Sequence, residues 1–148
     1  MVRPELDLEP DERLLARAPV SFRGAAAASL RSTFMLSAAR RRLDTYYAWR
    51  SHADVAGFFT SGPEIVLGVT GTHLVIWGTT FWMSRRGALT ARIPLSDLHD
   101  VAAVRHGLVT GVAFAFTTGH IVEVEAMRGR RLRHLARELR KALASSRR

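Results

Sequence analysis

The 148-residue sequence predicts a mainly β, α+β domain: a seven-stranded antiparallel barrel with a helical insertion between its first two strands and a C-terminal capping helix. Three observations carry this expectation. Short runs rich in Val, Ile, Thr, Phe and Trp recur between turn signals from residue 64 to residue 127. The uncharged stretch 65–84, IVLGVTGTHLVIWGTTFWMS, is broken at its centre by the polar turn Thr70-Gly71-Thr72-His73. In the last segment, Leu132, Leu135, Ala136, Leu139, Ala142 and Leu143 fall on a stripe about 120° wide at about 100° per residue.

Residues 1–11 read as a polar lead-in to one domain spanning 1–148. The run 12–24 alternates as a first strand ending before Gly24, and Pro19 within it suits an edge or a bulge. From 25 to 57 the pattern is helical: Leu30, Phe34 and Ala38 share one face, and Met35, Ala39, Leu43, Tyr46 and Arg50 another. Gly57 and Thr60-Ser61-Gly62-Pro63 stop that helix. Twenty uncharged residues closed by Arg85-Arg86 have about the length and flank of a membrane span. The central turn and the β-branched and aromatic flanks favour a hairpin instead, with strands at about 64–70 and 73–83. Leu74 and Ile76 then share one face of the second strand, and Val75 and Trp77 the other. Ser84-Arg85-Arg86-Gly87 reads as a turn, 88–95 as the next strand and Ser96-Asp97 as a corner. Three short strands follow at 100–107, 109–116 and 120–127, the last two joined by Thr118-Gly119. The capping helix occupies 128–144, and Arg130, Arg133, Arg137, Arg140 and Lys141 gather on an arc beside its apolar stripe.

Three segments carry a family resemblance. LGVTGTHLVIW (67–77), RIPLSDLHDV (92–101) and GHIVEVEAM (119–127), followed by a closing helix, resemble bacterial members of the pleckstrin-homology-like (PH-like) and GRAM-like superfamily. The resemblance covers about 64–144 and implies a PH-like barrel, closed at one end by the 130–144 helix, that serves as a binding scaffold. Eukaryotic relatives often bind phosphoinositides beside a basic first hairpin loop; no Lys-x-x-Arg pattern stands at a matching position here, so the resemblance does not extend to that ligand.

Chemistry-bearing patterns are sparse. The chain has no cysteine, which excludes disulfides, thiolate nucleophiles and zinc–thiolate sites. Gly68, Gly71 and Gly78 precede no helix and form no phosphate loop, and the six histidines include no His-x-x-x-His pair. Glu123 and Glu125 lie about 7 Å apart on one strand face, a separation known from paired-carboxylate catalysis. With Val122 and Val124 pointing inward, both are expected to face water or to pair with Arg128 and Arg130. The expectation is therefore no enzyme, no cofactor and no metal.

The net charge of +9 is unevenly placed, at −2 over 1–20, +5 over 21–50, −2 over 51–126 and +8 over 127–148. All but one of the 22 basic residues are arginine, which GC-rich coding also produces. Two surfaces compete as binding sites. Trp82 with Arg85 and Arg86, flanked by Phe81 and Met83, joins an apolar wedge to cations, as an interfacial membrane contact requires, and Arg133, Arg137, Arg140 and Lys141 add a basic helix arc. Arg40, Arg41, Arg42 and Arg50, interleaved with Tyr46, Tyr47 and Trp49, form the alternative, a nucleic-acid surface. The leading expectation is a non-catalytic binding module, cytoplasmic or peripheral at the membrane, whose partner is a protein or an anionic lipid surface; the alternative is a nucleic-acid-associated basic protein.

Overall fold

The structure is a computed structural model that describes residues 8–25, 35–79, 86–127 and 129–147. In chain order its elements are β1 (Leu14–Phe22), α1 (Met35–Val55), β2 (Glu64–Thr70), β3 (His73–Thr79), β4 (Arg86–Pro94), a 3-10 turn (Leu95–Asp97), β5 (Leu98–His106), β6 (Val109–Phe116), β7 (Ile121–Met127) and α2 (Arg130–Ser146). The strands form one seven-stranded sheet in the order β4-β3-β2-β1-β7-β6-β5, with every neighbouring pair antiparallel. It comprises two meanders joined where β1 meets β7 at two positions, Ser21 opposite Glu125 and Phe22 opposite Val124.

The expected closed barrel is corrected in one respect: β4 and β5 stand at opposite ends of the sheet, so the ladder does not close. The Leu95–Asp97 turn carries the chain between them, and α2 completes the core, packing across β1, β2, β5, β6 and that turn. All six residues of its predicted stripe are buried, with Leu132, Leu135 and Leu139 fully so.

Alternation decides which face each strand residue takes. Along β1, Ala16, Ala18, Val20 and Phe22 are buried while Leu15, Arg17 and Pro19 are exposed. Pro19 pairs with Val66 of β2 only, because β7 meets β1 farther along, so a proline is tolerated in a strand central by order. Residues 65–79 form the expected hairpin, and among the described residues no helix is long and apolar enough to cross a membrane. Leu74 and Ile76 join the main core with Leu67 and Val69. Val75 and Trp77 face the other way, into a smaller cluster with Val66, Leu8, Leu14 and Leu89. The bare backbone of Gly68 admits the Trp77 ring: a Cβ there would lie 2.6 Å from Trp77 Cζ3.

Two local expectations also change. Arg86 and Gly87 belong to β4 rather than to a turn, since Arg86 pairs with Thr79. Of the predicted α1 face, Tyr46 is buried, but Leu43 is exposed, and among the described side chains Trp49 and Ala53 complete the buried side. Large rings fix the helix orientation: Phe22 and Tyr46 centroids lie 5.6 Å apart, and Trp49 meets Phe58 edge-on at 5.9 Å. Trp49 Nε1 donates to the Glu123 carbonyl at 2.7 Å, tying α1 to β7. The expected face of Leu30, Phe34 and Ala38 lies outside the described residues and side chains.

Candidate functional site

The arginines of α2 are placed by its apolar stripe. With Leu132, Leu135, Leu139 and Leu143 turned into the sheet, the adjoining arc faces the free edge of β5. The start of the helix is pressed onto β6, because a Cβ at Gly129 would lie 2.4 Å from Thr110 Cβ. Between α2 and β5 runs a groove of about 450 Å³ lined by Ala103, Arg130, Arg133, Ala136, Arg137 and Arg140. Three of the predicted basic residues, Arg133, Arg137 and Arg140, thus meet on one surface together with Arg130. Lys141 points elsewhere and pairs with Glu138 at 3.4 Å.

One end of the β5 edge is already occupied. Arg140 Nη2 donates to the Val101 carbonyl at 3.1 Å, and the Val101 N–H donates to Asp100 Oδ1 at 2.8 Å. Arg147 Nη2 donates to the carbonyls of Leu98, at 3.3 Å, and His99. These bonds cover edge groups that would otherwise invite another strand. Arg147 carries no sequence signal for this role.

The other predicted residues fall only partly within the described structure. Arg40 is exposed on α1, and Arg50 pairs with Asp54 at 3.8 Å. Arg41, Arg42 and Arg86 are placed by backbone alone, their side chains lying outside the described residues. Trp82 and Arg85, with Phe81 and Met83, also lie outside the described residues. Glu123 pairs with Arg23 at 3.1 Å, because the β1–β7 junction brings the end of β1 beside it, and Arg128, one of its expected partners, lies outside the described residues. Among the described residues no group of His, Asp and Glu is arranged to hold a metal ion.

A polar hub unforeseen from sequence lies at the start of β1. The Glu12 carboxylate, only 5% exposed, accepts from Arg92 Nη2, from Thr70 Oγ1 at 2.8 Å, from Thr72 Oγ1 at 3.3 Å and from the Glu9 N–H at 3.0 Å. His73 Nδ1 stands 3.4 Å from the same carboxylate. Burial pushes the Glu12 carboxyl up, but the hydrogen bonds from Arg92, Glu9 and Thr70 and the Arg92 charge outweigh it and hold the pKa at about 2. These bonds fasten the segment before β1 to the β2–β3 turn and to β4.

Compared with models of known families and with curated proteins, the chain has no match.

Proposed function

We propose that the chain is a non-catalytic binding module of the PH-like kind, and that the groove between α2 and β5 takes an acidic partner protein. The observation that carries this reading is the concentration of cations: four arginines surround about 450 Å³, and among the described residues no carboxylate lines it. Like charges three and four residues apart on a helix repel, and an anion between them relieves that cost. Guanidinium groups suit carboxylates in particular, because their fork donates two parallel N–H bonds. The PH-like assignment is supported by two antiparallel meanders followed by a closing helix, the architecture implied by the three resembling segments. A furrow between a helix and a strand edge favours a polypeptide over a lipid surface, which a protruding apolar loop would engage.

Fluorescence anisotropy with labelled hexaglutamate and hexalysine tests the reading. Hexaglutamate binds selectively and weakens with salt, and the double variant Arg133→Glu/Arg137→Glu lowers its affinity by roughly tenfold or more. Both side chains are exposed, so the variant folds normally by circular dichroism. Equal binding of the two peptides, or no effect of the double variant, would overturn the proposal.

A further inference from the structure

The geometry points to a surface metal site separate from the arginine groove: His52 of α1 and His120 of the β6–β7 corner share one divalent first-row transition ion, Zn(II), Ni(II) or Cu(II), with water as its other ligands. The site arises where β7 loses its neighbour. β1 meets β7 only at Ser21 and Phe22, and Gly24 follows at a φ of 93°. Farther along β7 the edge is covered by α1 instead, since Trp49 Nε1 donates to the Glu123 carbonyl at 2.7 Å and His52 Nε2 to the Ile121 carbonyl at 2.9 Å. Trp49 and His52 stand three positions apart, so one side of the helix makes both bonds. His120 follows the tight turn at Gly119, and its ring centroid lies 6.1 Å from that of His52.

Hydrogen bonds prepare both rings as ligands. A carbonyl can only accept, so the Ile121 carbonyl holds the hydrogen of His52 on Nε2, and the neutral ring keeps its lone pair at Nδ1. His120 Nδ1 meets Thr118 Oγ1 at 2.9 Å, which spends that nitrogen on the hydroxyl and leaves Nε2 over. Among the described residues no hydrogen bond uses His52 Nδ1 or His120 Nε2. One nitrogen anchored by a neighbouring carbonyl or hydroxyl, with the other left for the ion, is how metal-binding histidines are oriented. His52 is exposed and His120 half-buried, so an ion reaches both from solvent.

The separation of the rings fits one ion between them. A zinc–imidazole bond of about 2.1 Å, added to the depth of the nitrogen in its ring, sets the metal about 3.2 Å from each centroid. Two rings on one ion are then about 5.2 Å apart at a tetrahedral angle and about 6.4 Å apart at a straight one. The observed 6.1 Å lies inside that span, and the 61° between the ring planes is no obstacle because each ring can turn about its metal bond. Among the described residues no three ligating side chains gather to enclose an ion, so water fills the remaining positions and the ion stays exchangeable. Imidazole and water suit a transition ion, with Cu(II) held most tightly; Mg(II) and Ca(II) require oxygen ligands that this corner does not supply. A bound ion ties α1, the helix between β1 and β2, to the far end of the sheet.

Zn(II) titrations of the full chain, read by competition with a chromophoric chelator, compare wild type with His52→Gln, His120→Gln and a control, His134→Gln, at an exposed histidine of α2. Each of the first two variants loses roughly tenfold or more in affinity, and the control stays within about threefold of wild type. Substoichiometric Cu(II) on the unmutated chain gives an electron paramagnetic resonance spectrum split by two imidazole nitrogens, a readout that a folding defect cannot imitate. Zn(II) also slows amide exchange in α1 but not in α2, and Mg(II) does neither. Equal Zn(II) affinity of wild type and the His52→Gln/His120→Gln double variant, a one-nitrogen Cu(II) spectrum, unchanged exchange in α1, or equal binding of Mg(II) overturns the proposal.

Discussion

Replacing Glu12 with Gln removes the charge at the centre of the hub while keeping an acceptor for Thr70 and Arg92. The folded carboxyl titrates at about 2 against an ordinary value of 4.5. At about 1.4 kcal/mol for each tenfold, ionised Glu12 contributes about 3 kcal/mol to folding near neutrality, an order-of-magnitude figure. Because the folded value lies below the unfolded one, this contribution is complete above about pH 5 and drains away as the pH falls through about 2. Urea unfolding of both proteins at pH 7, 3.5 and 2.5 reads it directly. The expected gap between wild type and Glu12→Gln is about 3 kcal/mol at pH 7, about 2 at pH 3.5 and under about 1 at pH 2.5, the other carboxylates being common to both chains. A gap that does not change with pH, or one below about 1 kcal/mol at pH 7, would refute the reasoning that an ionised Glu12 is held by these bonds.

Four further outcomes follow from packing and hydrogen bonding. Leu139→Ala, at a fully buried position of α2, lowers stability by about 2–5 kcal/mol in urea unfolding; a loss under about 1 would make that helix peripheral. Gly68→Ala forces Trp77 and Leu14 to move and costs about 1–3 kcal/mol, with a shift in tryptophan fluorescence; an unchanged melting temperature would contradict the close approach. Trp49→Phe removes the bond to the Glu123 carbonyl and costs about 1 kcal/mol or more, with faster amide exchange in α1 than in α2. Arg140→Met uncaps the Val101 carbonyl and raises the tendency to self-associate, seen as a concentration-dependent sedimentation coefficient; a strictly monomeric variant would argue that this cap does not guard the edge.

Local patterns were the legible part of this chain. Strand alternation, the Thr70–Thr72 turn, the Gly119 corner and the stripe from Leu132 to Leu143 each depend on residues within a few positions of one another, and each reappears in the structure. The open sheet was not legible, because strand order depends on pairings between distant segments: β1 with β7 is decided by residues about a hundred positions apart. Glu12 was hidden for the same reason, since its partners Thr70 and Arg92 are 58 and 80 residues away. On α1 the pattern placed Leu43 and Tyr46 on one face; Tyr46 is buried as expected, but the large Trp49 ring, outside that face, packs on the core and turns Leu43 to the surface. The groove was half visible. Arg133, Arg137 and Arg140 could be read as an arc, while the opposing wall at Ala103 and the capped end at Val101 exist only once β5 becomes an edge.

Chemical-shift mapping of the ¹⁵N-labelled chain during titration with hexaglutamate tests the central claim most directly, because it locates the acidic ligand without presuming a mutant. The largest amide perturbations are expected at Ala103–His106 of β5 and at Arg130–Arg140 of α2, with α1 unmoved. Perturbations centred on Arg40–Arg50 of α1, or on residues 80–86, with β5 silent, would contradict the assignment of recognition to the α2–β5 groove.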